Sequence, residues 1–450
     1  MLLLLVLAAA GACDESPQAS DAAPTNQADA GTQPPATPAG ARLTWVLAAL
    51  NGAPVSVADA NANFTTGFLA QVPVAQLQAV FAQLAAAAPW TLMGLDGPST
   101  PSSLVAIVRR GDGQYWRIVV QTSPAESDRM NGLFLAPAGD LDPTLASFAA
   151  IDDAVQELAP AVNLLVASVD ASGGCTSLHA LHPEASLAIG STFKLYVLAA
   201  LAASIEAGQR EWTDTIAIQD QYKSLPSGDL QDQPVGTLLP VLTFAEKMIS
   251  ISDNTATDHL LFTVGREAVE TMLTTARHHE PALDVPFIGT RELFTLKLML
   301  SPAEQDAYVA ASVDEKRTLL AGYAATRDPR TYTGTWTTPL RIDTLEWFAS
   351  PDDLCNVMAT LKGYGEQPAT APVHDVLALN PGLPDPGQAF TYIGFKGGSE
   401  PGVLNLTWLV QRASDQEWRF LSLGFNDTTK DVPTEQILYV AGAARALLAE

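Results

Sequence analysis

Basic residues are scarce in this chain. Its 24 Lys and Arg stand against 49 Asp and Glu over 450 residues, giving a formal net charge of −25, and no basic run interrupts the imbalance. Such a field argues against nucleic acid or an anionic lipid surface as a partner and favours solubility. Cysteine is nearly missing, with Cys13, Cys175 and Cys355 the only three. Cys175 falls in a predicted hairpin and Cys355 in a predicted helix. A disulfide between them and two buried free thiols are both open, the free thiol being the commoner state of an isolated cysteine. The six histidines show no metal-ligand spacing. His278 and His279 are adjacent rather than a helical turn apart and read as a surface pair, so no metal site is expected. No Lys or Arg precedes Arg42, so the amino terminus lacks the basic region of an ordinary export signal.

What is present begins with Leu2 to Ala10, an apolar run too short to span a bilayer that ends in Ala10-Gly11-Ala12-Cys13. Residues 1–13 read as a lipoprotein signal with Cys13 as the lipidated residue. The plainer alternative is a cleaved secretory signal in which Cys13 is incidental. Either implies export, and the first a membrane contact through a lipid anchor only. Residues 14–41 are rich in Pro, Ala, Thr, Gln and Asp, hold no aromatic residue, and read as a disordered linker. From 42 to 140 the patterns suggest a small α+β accessory domain: helices at Leu43 to Leu50 and Val74 to Ala88, then strands flanking the turn Gly111-Asp112-Gly113. Trp90, Tyr115 and Trp116 either line a pocket or, as aromatics more often do, fill the core.

Three motifs in the remainder follow one another in an order suited to making and breaking an acyl-serine bond: Ser191-Thr192-Phe193-Lys194, Ser252-Asp253-Asn254 and Lys396-Gly397-Gly398. A Ser and a Lys three positions apart share a helix face, so the amine can reach the hydroxyl. Leu195 to Leu201 is apolar on every face, which predicts a buried helix. Burial lowers a lysine's pKa and suits Lys194 to accept a proton near pH 7. Ser191, at the helix start, lies where free N–H groups favour developing negative charge. Ser252, in the helical-looking run Thr243 to Phe262, is suited to pass a proton to a leaving amine. The Asn254 amide is suited to hold a substrate carbonyl, and Asp253 to brace the turn. Lys396 closes a strand-like run from Thr391 and would attract a substrate carboxylate, while Gly398 lets substrate lie along the strand edge. The N–H groups of Ser399 and Ser191 would make a two-donor oxyanion hole. The plain alternative for Lys396 is a solvated lysine at a strand end.

These motifs resemble those of the class A serine β-lactamases and the related penicillin-binding proteins, whose signatures are Ser-x-x-Lys, Ser-Asp-Asn and Lys-Thr-Gly. The resemblance covers residues 141–450. It implies an α+β domain in which an antiparallel sheet with terminal helices carries an all-helical lobe inserted between its second and third strands. It also implies that Ser191 is the nucleophile, Lys194 its base, Ser252 a proton shuttle, and Asn254, Lys396, Gly398 and Ser399 substrate-binding residues. Gly397 departs from the signature, leaving the Ser399 hydroxyl to supply the missing hydrogen bond. The expected partner is a small β-lactam or acyl substrate, with no cofactor, on a monomeric extracytoplasmic lipoprotein, periplasmic or cell-surface.

A closer resemblance is to the two-domain serine hydrolases encoded in clavam biosynthetic gene clusters. It rests on Lys223-Ser224-Leu225-Pro226-Ser227-Gly228 and on Gly394-Phe395-Lys396-Gly397-Gly398-Ser399-Glu400-Pro401-Gly402-Val403. In that group a small cone-like domain similar to that of steroid isomerases precedes the β-lactamase-like one. Class A enzymes also use a loop glutamate followed by Leu-Asn to activate the deacylating water. No segment here has that pattern, and Glu292 is the candidate for the role, ahead of Glu280 and Glu346. The alternative for Glu292 is an exposed helix charge paired with Arg291 or Lys297. Three functions are therefore open: β-lactam hydrolysis as part of an antibiotic response or β-lactam catabolism, a penicillin-binding D,D-peptidase or esterase with slow deacylation, and a ligand-binding lipoprotein with a vestigial site. Leu298 to Leu345 is a long stretch that either rims the cleft or is structural.

Overall fold

The computed structural model describes residues 33–385 and 388–450. The expected signal over 1–13, with Cys13, lies outside the described residues, as does most of the expected linker. Among the described residues no helix is long and apolar enough to cross a membrane. The chain divides into two units at Ala146/Ser147, with Leu438–Ala443 grouping with the first.

In the first unit α1 (Pro38–Leu50) begins inside the stretch expected to be linker. Thr37 caps it by accepting from Gly40 N at 3.1 Å, and Pro38 stands where a missing N–H costs nothing. Composition missed this first turn because it holds no aromatic residue, yet Ala39 is fully buried in the core with Leu43, Val46 and Leu50. Three further helices, α2 (Val57–Asn63), α3 (Thr66–Gln71) and α4 (Val74–Ala85), lead into an antiparallel sheet of β1 (Trp90–Leu95), β2 (Ser103–Arg110), β3 (Tyr115–Ser123) and β4 (Arg129–Pro137), ordered as in sequence. Alternation in β2 buries Leu104, Ala106 and Val108 on one face. The β2–β3 turn uses Gly113 at φ +97°, a conformation that disfavours any side chain. Trp90 and Trp116 are buried edge-to-face at 5.4 Å, so they are core rather than pocket lining.

The second unit starts with α5 (Phe148–Gln156) and the hairpin β5 (Ala161–Val169) and β6 (Cys175–Leu181). After a helical lobe the chain returns as β11 (Phe390–Glu400), β12 (Val403–Arg412) and β13 (Trp418–Asn426), then α15 (Thr434–Ala446). The five strands form one antiparallel sheet in the order β11-β12-β13-β5-β6, so the hairpin and the last three strands join edge to edge, as expected. The lobe comprises α6 (Lys194–Glu206), α7 (Val241–Ser250), α8 (Asn254–Val264), α9 (Arg266–Thr275), α10 (Thr290–Leu298), α11 (Pro302–Ala310), α12 (Val313–Thr326), α13 (Pro351–Gly365) and α14 (Pro372–Ala378). Two short strand pairs accompany it, β7 (Leu187–Ala188) with β10 (Phe348–Ala349) and β8 (Thr215–Ala217) with β9 (Leu238–Pro240).

Helix α6 is the lobe's centre. Leu195, Val197, Leu198 and Leu201 are fully buried, each contributing roughly 1.5–3 kcal/mol relative to an exposed side chain. Of the two states left open for the cysteines, the structure takes the disulfide: Cys175 on β6 is bonded to Cys355 on α13, with Cα atoms 6.3 Å apart. Sequence separation could not decide this, because a contact between a sheet edge and a helix is set by tertiary packing. Strand β11 runs on to Glu400 rather than ending at Lys396, since Gly397 to Glu400 keep pairing with Leu406 to Val403.

Candidate functional site

The nucleophile position lies on a tight turn. Gly190–Phe193 forms one 3-10 turn feeding α6, and Gly190 sits at φ +47°. A Cβ on Gly190 would lie 2.9 Å from Ser399 N, and one on Gly398 would lie 2.5 Å from Ser191 N. Side-chain-free residues at both places let β11 press its backbone against the turn, making the main chains of Ser191 and Ser399 neighbours. Ser191 is half-buried and Ser399 exposed. Beneath the turn the Thr192 hydroxyl donates to Asn405 Oδ1 at 2.9 Å. Thr407 donates to the same oxygen at 2.9 Å and shares a hydrogen bond with Ser422 at 2.9 Å. All four side chains are buried, so this polar chain fixes the turn to β12 and β13. Its signal in the sequence is Asn405 and Thr407 standing inside the apolar run Val403–Val410, where a polar residue needs a partner.

Ser252 does not lie within a helix, as its surroundings suggested. It falls in the break between α7 and α8 at φ +58°, a left-handed position held by its neighbours. Asp253 is the brace that was expected. Its Oδ1 caps α8 by accepting from Ala256 N at 2.7 Å, and its Oδ2 accepts from Asp229 N and Leu230 N at 2.7 and 2.9 Å. The stretch 223–228 completes the clamp. Ser227 Oγ donates to Ser252 O at 2.7 Å, Asn254 N to Ser227 O at 3.0 Å, and Asn254 Nδ2 to Leu225 O at 3.0 Å.

Lys194 is fully buried, and its Nζ donates to Ser252 O at 2.6 Å, Asn254 Oδ1 at 2.7 Å and Ser252 Oγ at 3.0 Å. Its amine thus reaches Ser252 rather than the Ser191 hydroxyl expected from helix spacing. Lys396, also buried, donates to the same Ser252 Oγ at 3.1 Å and to Gly397 O. Among the described residues neither lysine forms an ion pair with a carboxylate. Burial therefore acts unopposed at Lys396 and brings its pKa down to about 7. Lys194 is held well below the ordinary lysine range, first by burial and then by the charge of Lys396, against a weaker pull from Asp253 and Asp258. Ser252 O and Asn254 Oδ1 can only accept, so two of the Lys194 N–H groups are committed to them.

The structure thus brings Lys194, Ser252, Asn254 and Lys396 into one hydrogen-bonded group and sets the backbones of Ser191, Gly398 and Ser399 together. Asn254 is 5% exposed and turns its carbonyl to Lys194. Glu292 is not in the group. Its carboxylate is gripped by Arg266 at 2.7 and 3.0 Å and accepts from Gly289 N at 2.7 Å, capping α10. Nor is it an exposed charge paired with Arg291 or Lys297, because that side chain is 12% exposed and Arg266 is its partner. Glu346 is buried against Lys297, and Glu280 accepts from Ser186 at the surface. Asp258, which sequence reasoning passed over, lies a turn beyond Asn254 on α8. It accepts from Thr290 N at 2.6 Å and Arg291 N at 2.9 Å, and burial pushes its pKa up to about 7. Lys223 is buried and donates to Gln233 O at 2.6 Å.

His278 is buried, not part of a surface pair. Among the described residues His278, His279 and Asp353 lie close enough to share a metal ion. Their polar atoms are already used: His278 bonds Phe348 O and Glu280 N, His279 bonds Asp353, and Asp353 caps α13 through Ser350. That arrangement is structural.

The model of the β-lactamase enzyme family matches residues 151–318, a segment carrying Ser191, Lys194, Ser252 and Asn254. The second unit thus has a β-lactamase-like fold and contains a segment similar to the β-lactamase enzyme family. A separate family model, described as "ORF 12 gene product N-terminal", matches residues 34–123. No curated protein matches the chain. Similar solved structures include a β-lactamase from Sphaerobacter thermophilus DSM 20745, at 21% identity and TM-score 0.45, covering 67% of this chain and 94% of that one. They also include a β-lactamase from Francisella tularensis at 14% identity and TM-score 0.47, covering 67% and 97%. A structure of PBP-A has 16% identity and TM-score 0.44, covering 66% and 93%.

Proposed function

We propose that the second unit is an acyl-transfer hydrolase that forms an ester on Ser191 with β-lactam amides. The observation that carries this reading is one hydroxyl, that of Ser252, bridged between two buried amines that pair with no carboxylate among the described residues. In acylation Ser191 Oγ attacks the amide carbon and its proton passes to Lys194 by way of the Ser252 hydroxyl, which takes the Ser191 proton as it gives its own to the amine. The N–H groups of Ser191 and Ser399 hold the resulting oxyanion. As the C–N bond breaks, Ser252 gives its proton to the leaving nitrogen and is reprotonated by Lys194. Charged Lys396 attracts the substrate carboxylate. The lipid anchor at Cys13, export, the assignment of 42–140 as a separate accessory domain and the kinship with the clavam-cluster hydrolases belong to the same proposal. Two separate family models matching in that order along the chain support the separate accessory domain.

A second reading, slow deacylation as in a penicillin-binding enzyme or esterase, is favoured by the commitment of Glu292 to Arg266 and Gly289. Deacylation needs a base for water, and among the described residues no carboxylate hydrogen-bonds Lys194. Intact-mass time courses with benzylpenicillin and turnover of a chromogenic cephalosporin test both. An adduct that Ser191→Ala abolishes supports the acyl-serine. Its rapid return to the free mass favours β-lactam hydrolysis, and its persistence favours slow release. No adduct with penicillins, cephalosporins or activated esters defeats the proposal.

A further inference from the structure

A cavity of about 560 Å³ lies in the helical lobe, walled by α8, α9, α10 and α12 and by the segment around Tyr222. None of Ser191, Lys194, Ser252 or Lys396 lines it, whereas Glu292 does. Its volume falls within the range of about 300–1,000 Å³ typical of small-molecule sites. One wall comes from α12, in the long stretch 298–345 for which the acyl-serine chemistry supplies no role. The geometry points to a second ligand site here, for a planar aromatic carboxylate.

Two features define that chemistry. Tyr222 lies flat on Phe262, with ring centroids 4.8 Å apart and planes 15° from parallel, and buried Leu320 adds an aliphatic surface. These give a ring system something to stack on. Three arginines, Arg266, Arg291 and Arg317, line the same space against two glutamates, reversing locally the acidic balance of the whole chain. Arg266 and Arg291 are tied down, the first to Glu292 and the second to Asp328 and Lys223 O. Arg317 is different. It bonds Glu270 through one terminal nitrogen and, through the other, Glu267 at 3.3 Å, whose side chain is 77% exposed. The Glu267 pair is solvated and worth little, so the nitrogen that makes it can turn to a ligand carboxylate while the other stays on Glu270, whose side chain is 12% exposed.

The test is calorimetric titration of the full chain with naphthalene-2-carboxylate, with naphthalene-2-carboxamide as the uncharged control. The expected result is saturable one-site binding of the acid, with the amide at least fivefold weaker. Ala324→Trp, which adds bulk from the exposed side of α12 into the cavity, should weaken the acid at least tenfold. Arg317→Gln should remove the preference for acid over amide. Ser191→Ala, and wild type acylated with benzylpenicillin wherever that adduct forms, should bind as wild type does, so this result stands or falls apart from the acyl-serine. No saturable binding, equal affinity for acid and amide, or competition by acylation would each overturn the inference. So would a normally melting Ala324→Trp with unchanged affinity, and if that variant fails to fold, Arg317→Gln decides.

Discussion

The second unit buries lysines in two ways. Lys297 is 2% exposed and meets two carboxylates, Glu346 at 3.1 Å and Glu400 closer still. Lys194 and Lys396 are as deeply buried but hydrogen-bond a hydroxyl and carbonyl oxygens, and the charge of Lys396 works against that of Lys194. In the first cluster burial and the Glu346 charge push the Glu400 carboxyl up, and the lysine opposes them. The second holds amines poised to lose protons. The difference teaches that among these three lysines the one whose charge acids answer serves structure, and the two that share a hydroxyl are placed for chemistry.

Exchanging the lysines one at a time breaks this comparison. Lys194→Met should slow acylation of Ser191 by about 10²–10⁴-fold, the usual worth of a positioned base, with the fold retained. Burst kinetics and a melting curve check both halves. Lys297→Met should do the reverse. It leaves two buried carboxylates unanswered and should cost about 3–5 kcal/mol in a denaturant titration. Its effect on acylation should stay small wherever the protein remains folded.

A smaller effect sharpens the same contrast through pH. Lys396 titrates at about 7 when folded and near 10.5 when unfolded, so between those values the unfolded chain binds more protons. Its contribution therefore makes stability rise with pH across that window, by at most about 1.4 kcal/mol per unit, and Lys396→Met should remove that increment. Activity should move oppositely. For substrates bearing a carboxylate, kcat/KM should fall as pH rises through about 7 and Lys396 loses its charge, and a neutral ester should show no such limb.

The parts legible in sequence were those that short-range chemistry dictates. An all-apolar helix after Ser191 announced the burial of Lys194, and an acid before Asn254 announced the cap on α8. The fold class followed from the family resemblance that the three motifs carry. What stayed hidden depends on distant segments meeting. The left-handed Ser252 is stabilised by the 223–228 stretch, the grip of Arg266 on Glu292 joins α9 to α10, and the bond between Cys175 and Cys355 joins β6 to α13. The Thr192-Asn405-Thr407-Ser422 chain likewise crosses from the turn to two strands, and the polar residues within Val403–Val410 announce that partners are needed without saying which.

The most direct measurement is the rate of Ser191 acylation by a neutral activated ester, followed by stopped-flow from pH 6 to 9. A desolvated amine at Lys194, held well below the ordinary lysine range, predicts a rate that reaches its plateau well before the pH at which an ordinary lysine would lose its proton. A rate climbing about tenfold per unit toward pH 10, as an ordinary lysine base requires, would contradict the account.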